Sequence, residues 1–313
     1  YGQFILINLF FYFVSKTGNY HLIAAVPIAI EGIIFSYILF DSIINLNLQY
    51  KKHSSRTIEV KILFFTIFAW FSIVSIKLAV AGVRCTLAVA VCFLAVYLEY
   101  VKKNKKYLVY ILYVCAMLIH LVALVIIVIR IASLLNRKVS LFVILNIFML
   151  LGKPVISAAR NLVNGGYMEI ALYKIERYWN TFLIFGNEFH VSKSVFLVYI
   201  CWIIVECFFI YMTKYVSKFY DGKNDYEQRI LNVCEAFGYF SLGLIMNYLY
   251  TQRMMYILAF MMILIIPRYL SVAKTKKDFF IQLILSGVMI YIVFMNDIYG
   301  FLVNYTGIYF LAR

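Results

Sequence analysis

Arg84, in A-G-V-R-C-T-L-A, and Arg253, in N-Y-L-Y-T-Q-R-M-M-Y, are arginines set into otherwise apolar sequence. A guanidinium presents a fixed fork of donors that matches phosphate oxygens two at a time, and it stays charged at any accessible pH. Arg160 and Arg177 add two more, on a segment spanning 159–193 that also carries Glu176, Glu188 and His190. Gathered on one face, such arginines would suit a lipid-linked pyrophosphate. Taken singly, each would only snorkel to the interface or pair with a headgroup phosphate. His120, in C-A-M-L-I-H-L-V-A-L, is the first candidate for a general base. A lone histidine in an apolar run is also a common hydrogen bonder between helices. Glu176, Glu188 and His190 are rival bases, and they could equally bridge Lys174, Arg177 or Lys193.

Other polar residues are read more plainly. Glu31, Glu206 and Glu235 fall inside apolar runs, where an ionisable group is costly; each is expected to be structural, paired with a Lys, Arg or Tyr. Asp297, in F-M-N-D-I-Y-G, is a spare candidate near the end of its helix. All six cysteines lie in apolar runs with no C-x-x-C pair and no histidine at ligand spacing, so they read as packing residues. No metal site and no cofactor are expected. Aromatic residues make up 19% of the chain; such faces suit sugar stacking, but tyrosine also anchors helices at membrane interfaces.

The elements that hold these residues are transmembrane helices. Of 313 residues 65% are hydrophobic and 14% charged, with a mean hydropathy of +0.90, and a soluble domain of this size needs far more polar surface. A hydrocarbon core of ~30 Å takes about 20 apolar residues per helix. Runs of that kind are read at 21–44, 62–80, 81–101, 141–158, 194–216, 230–250, 254–270 and 280–303. The expectation is an all-α, polytopic transmembrane bundle of about 10 membrane helices, forming a single integral membrane domain over 1–313. The 159–193 segment is the one long loop, with Leu172, Ile175, Trp179 and Phe182 at helical spacing, which predicts an amphipathic helix lying on the interface. The chain opens at Tyr1 without a methionine, and a further N-terminal segment is expected before it.

The formal charge of +15 would suggest nucleic acid in a soluble protein, but here Lys and Arg sit in short clusters between apolar runs, as in cytoplasmic loops. No nucleic-acid partner is expected. The clusters are Lys51, Lys52, Arg56 and Lys61; Lys102, Lys103, Lys105 and Lys106; Arg130, Arg137 and Lys138; Lys214, Lys218, Lys223 and Arg229; and Arg268, Lys274, Lys276 and Lys277. Were 107–135 a single crossing, the last three would face outward, against the charge bias that sets orientation. A hairpin of two short helices keeps all five on the cytoplasmic side. Its apex falls near His120, and arms of about 13 residues rise ~20 Å, which carries His120 past the midplane. The same parity puts Arg84, the 159–193 segment and Arg253 on the outer face.

In order along the chain, G-V-R-C-T-L-A (82–88), the basic turn K-K-N-K-K, L-I-H-L-V-A-L (118–124) and Q-R-M-M-Y (252–256) resemble the EpsG family of Wzy-type polysaccharide polymerases. In that family a G-x-R-Q-x-[LI]-A-like stretch opens a helix, and an H-x-S-A-L-like stretch follows a short basic turn. This chain departs from the pattern with Cys85 in place of Gln and with Leu121-Val122 in place of the small polar pair. The opening Y-G-Q-F-I-L-I-N is similar to the family's segment just after an acidic extracytoplasmic motif.

The resemblance implies a multi-pass, GT-C-like glycosyltransferase of the bacterial cell (inner) membrane, acting in capsule, O-antigen or exopolysaccharide synthesis with its active site facing the periplasm or exterior. Its donor would be a growing glycan on undecaprenyl pyrophosphate, its acceptor a lipid-linked repeat unit, and its partners membrane lipids, a chain-length regulator and a flippase. Because the leaving group is a pyrophosphate, catalysis needs positive charge where negative charge develops, which Arg84, Arg177 and Arg253 would supply without a metal, plus a base for the acceptor hydroxyl. The rivals are a lipid-linked oligosaccharide flippase or transporter, which predicts internal repeats that the sequence does not display, and a membrane acyltransferase, whose donor is normally cytoplasmic.

Overall fold

A computed structural model describes residues 5–49, 56–73, 83–102, 106–120, 122–133, 139–162, 172–173, 176, 193–220, 225–273 and 275–295. Among the described residues the chain forms eleven helices and no strand: α1 (Ile5–Thr17), α2 (Leu22–Gln49), α3 (Arg56–Ile73), α4 (Val83–Tyr100), α5 (Lys106–Ile119), α6 (Ala123–Ala132), α7 (Val139–Leu162), α8 (Lys193–Tyr220), α9 (Asp225–Gly243), α10 (Tyr248–Val272) and α11 (Lys276–Val293). Four of the helices contain stretches long and apolar enough to cross a membrane, namely Leu22–Ile44, Val83–Tyr100, Phe196–Phe219 and Tyr250–Val272. The residues from 230 to 270, nearly continuous in hydropathy, divide into α9 and α10 at Leu244–Asn247. There Asn247 caps α10 by accepting from the Tyr250 N–H at 3.2 Å. The α1–α2 turn runs through Gly18, whose φ of 69° lies where a Cβ is strained.

The stretch 250–272 of α10 is 94% buried, while 22–44 of α2 is 33% buried. An apolar helix enclosed on all sides marks the centre of the bundle, and one exposing apolar residues faces lipid. Accordingly α10 packs on α2, α3, α4, α8 and α9. Glycine permits two close approaches on α9: a Cβ on Gly238 would lie 2.4 Å from Ile210 Cγ1 on α8, and one on Gly243 would lie 2.7 Å from Leu145 Cβ on α7.

Two contacts set the direction of α6. Cys92 Sγ on α4 donates to the Ala123 carbonyl at 3.8 Å, and Arg130 Nε donates to Glu99 on α4 at 2.9 Å. Seven residues separate the contacts on each helix, so α6 runs parallel to α4. Tyr113 on α5 reaches the same Glu99 carboxylate at 2.9 Å, which brings a residue ahead of the break and one after it to the same depth. Helices α5 and α6 are thus the two arms of a hairpin that turns at His120.

Polar contacts collect at the end where the arms finish. Arg268 on α10 donates to Glu227 on α9 at 2.6 and 3.0 Å and to Ser42 on α2 at 3.4 Å. Asp41 on α2 accepts from both Tyr97 and Lys102. Asp278 closes a capping box with Thr275 at the start of α11, and it accepts from Tyr269 at 3.2 Å. Members of four basic clusters therefore share this end: Lys102, Arg130, Arg229, and Arg268 with Lys276 and Lys277. Above it Phe35, Trp70, Phe93 and Phe260 form an aromatic layer, with Trp70 4.7 Å from Phe35 and 6.4 Å from Phe260, and Phe93 5.5 Å from Phe260.

Candidate functional site

Beyond the aromatic layer, at the opposite end, residues from four separate stretches converge. Thr86 on α4 donates to Glu31 on α2 at 2.6 Å. The same two helices meet again at Tyr97 and Asp41, eleven and ten residues further on, so they run in one direction. Both Arg253 and Glu31 act electrostatically on Cys85 and on Tyr256, and both Arg253 and Arg84 act on His120. Arg84, Arg253 and His120, more than thirty residues apart in pairwise sequence, thus form one electrostatic cluster with Glu31, Cys85 and Tyr256.

Local structure explains how each is held. Arg84 is the second residue of α4, and its side chain is exposed. Arg253 is half-buried in the second turn of α10, beyond the Asn247 cap; Thr251 Oγ1 donates to the Asn247 carbonyl at 3.1 Å. Since α4 and α10 both begin at this end, their macrodipoles add positive potential to the two guanidinium charges. His120 sits in the break of the hairpin, about level with Val89 if the register of α6 on α4 is carried back three residues. That is roughly 7.5 Å along the axis from Arg84 at 1.5 Å per residue. Its backbone N–H closes α5 on the Ala116 carbonyl at 3.0 Å, and its own carbonyl accepts from the Ala123 N–H at 3.2 Å.

The side chain of His120 also shapes the turn. Nδ1 accepts the Val122 N–H at 3.1 Å. In a neutral imidazole one nitrogen donates and the other accepts, so this contact leaves the ring proton on Nε2.

The remaining sequence candidates fare differently. Arg160 donates to Glu176 at 2.8 Å and its guanidinium lies 4.9 Å from the centre of the Tyr173 ring. An expected phosphate binder and an expected base are therefore partners of each other, tying the last turn of α7 to the segment beyond it. One turn before Arg160, Ile156 packs on Leu244, Met246 and Tyr250, which puts this pair at the same end as the α10 N-terminus. Arg177, Glu188, His190 and Asp297 lie outside the described residues, as does most of the expected interfacial helix.

Of the carboxylates expected to pair with Lys, Arg or Tyr, Glu31 and Glu206 instead accept from hydroxyls, those of Thr86 and Ser241, and Glu235 acts on Lys214. Glu31 and Tyr256 belong to the cluster although neither was a site candidate in sequence. The available signals were a carboxylate in an apolar run and the tyrosine that ends Q-R-M-M-Y.

A helical bundle with long apolar spans defines a membrane-embedded protein, and two arginines and a histidine stand together at one end of it. The chain belongs to the EpsG family, whose model matches residues 3–306, a family of Wzy-type polysaccharide polymerases. No curated protein and no solved structure matches the chain.

Proposed function

We propose that this protein lengthens a polysaccharide on the outer face of the bacterial cell membrane, as a GT-C-like glycosyltransferase with a growing glycan on undecaprenyl pyrophosphate as donor. A hydroxyl of the incoming lipid-linked repeat unit attacks the anomeric carbon of the glycan's reducing-end sugar. The bond from that carbon to the pyrophosphate oxygen breaks, and undecaprenyl pyrophosphate leaves with the electron pair. Arg84 and Arg253 bind the pyrophosphate and stabilise its developing charge, a role that electrostatic catalysis rewards when the donors are positioned beforehand. His120 takes the proton of the attacking hydroxyl. It does so at Nε2 after the Val122 contact opens and the ring proton moves to Nδ1; until then Nε2–H is a donor suited to a phosphate oxygen.

The observation that carries the proposal is the gathering of Arg84 and Arg253, in the opening turns of α4 and α10, with the His120 turn at one end of the bundle, and membership of the EpsG family supports it. Arg177, Glu188 and His190 are proposed as further contributors from the outer segment, and a chain-length regulator and a flippase as partners. The test is deletion of the gene followed by sizing of the lipid-linked glycans. Single repeat units on lipid support a polymerase, whereas loss of all outer-face glycan points to a flippase and overturns the reading.

A further inference from the structure

At the end of the bundle away from His120, a cavity of about 310 Å³ opens between α4, α6 and α9, lined by Glu99, Tyr100, Arg130, Ser133, Arg229 and Asn232. We propose that this cavity binds the phosphate of an anionic lipid headgroup from the adjoining leaflet. The volume falls at the lower edge of the range typical of small-molecule sites, roughly 300 to 1,000 Å³. Two guanidinium charges against one carboxylate leave a single positive charge in the lining, which complements the single negative charge of a phosphodiester. Arg130 and Arg229 both act on Tyr100, so their charges converge across the cavity. Glu99 occupies the Nε and Nη2 edge of Arg130, and a guanidinium has five N–H donors, more than one carboxylate takes in a two-pronged contact. Ser133, also in the lining, donates its hydroxyl to the Arg130 carbonyl at 2.6 Å. Basic pockets between membrane helices at the headgroup level are places where anionic lipids dock.

The same chemistry would accept inorganic phosphate from water, and the experiment separates the two. The purified chain is placed in nanodiscs of phosphatidylcholine with or without phosphatidylglycerol; lipid retention is read by native mass spectrometry, and Tm is measured in parallel. Phosphatidylglycerol is expected to be retained and to raise Tm. Arg229→Gln removes the charge and should weaken retention about tenfold or more, the loss expected for a charge-assisted bond, while Asn232→Leu fills the cavity without changing charge and should weaken retention by obstruction. Lys276→Gln, an exposed charge at the same end, should leave retention unchanged. Equal loss in Lys276→Gln, or full retention in both cavity variants, overturns the proposal. If millimolar inorganic phosphate in pure phosphatidylcholine raises Tm and Arg229→Gln abolishes that rise, the site stands with free phosphate as its occupant.

Discussion

Arg130 holds the Glu99 carboxylate in a two-pronged grip, Nε lying 2.9 Å from Oε2 while Nη2 meets Oε1. This contact anchors the returning arm of the hairpin whose turn carries His120, so a bond at one end of the bundle supports a residue near the other. Losing a charge-assisted hydrogen bond costs about 1.5 to 3 kcal/mol. Arg130→Leu and Glu99→Leu should each lower Tm and glycan yield together, and the double variant should recover part of both. Thermal unfolding in detergent alongside glycan sizing checks this; full independence of the two substitutions would remove the anchoring role.

The buried pair Arg268–Glu227 should be more demanding. Its side chains are 3% and 9% exposed, and removing one partner strands a charge in low dielectric, typically at a cost of about 3 to 5 kcal/mol. Arg268→Met is expected to reduce folded protein sharply, while Arg268→Met with Glu227→Leu restores it, as measured by the monodisperse fraction after purification.

Orientation is tested by accessibility. In a background without the six native cysteines, Lys218→Cys and Lys277→Cys should react with an impermeant thiol reagent only in inverted vesicles. Tyr20→Cys and Leu162→Cys should react in intact cells. Labelling of Lys277→Cys from outside would invert the bundle and move the arginine cluster to the cytoplasm.

Arg84→Ala and Arg253→Ala should each reduce long glycan at least tenfold at normal expression, since a lost charge-assisted bond is worth about 1.5 to 3 kcal/mol. Lysine restores charge without the two-pronged fork, so Arg84→Lys and Arg253→Lys should recover only part of the activity. Full-length glycan from both alanine variants would dismiss the pyrophosphate role.

His120 is separated into base and donor by chemistry. A positioned base contributes roughly 10² to 10⁴-fold, and glutamine can donate a hydrogen bond but cannot shuttle a proton. With a purified enzyme and lipid-linked repeat units, His120→Ala and His120→Gln should both lose turnover to a similar extent. If His120→Gln keeps most of it, His120 serves as a donor to phosphate and the proton goes elsewhere.

Hydropathy made the long elements legible because a membrane demands continuous apolar length: the run read at 21–44 is α2 and that at 81–101 is α4. The break at His120 came from charge parity between loops, which constrains direction without any contact being known. The partnership of Thr86 with Glu31 was not readable, since 55 residues separate them and hydroxyl partners leave no pattern in a linear sequence. Nor was the pairing of Arg160 with Glu176, which joins the last turn of α7 to the segment beyond it. Arg84, Arg253 and His120 were visible as polar residues in apolar surroundings, but their convergence is a property of the parallel α4 and α10 and of the hairpin beside them.

The aromatic layer of Phe35, Trp70, Phe93 and Phe260 would also act as electrical insulation, since it holds no ionisable group. Moving one elementary charge across a full membrane is worth about 2.3 kcal/mol per 100 mV, and most of that voltage falls where water and ions are excluded. His120, level with Val89, lies on the Arg84 side of Phe93. In the proposed reaction, a proton passing from the acceptor hydroxyl to this ring would therefore cross little of the field. On the proposed mechanism, turnover in sealed vesicles is therefore expected to stay the same when the membrane potential is collapsed.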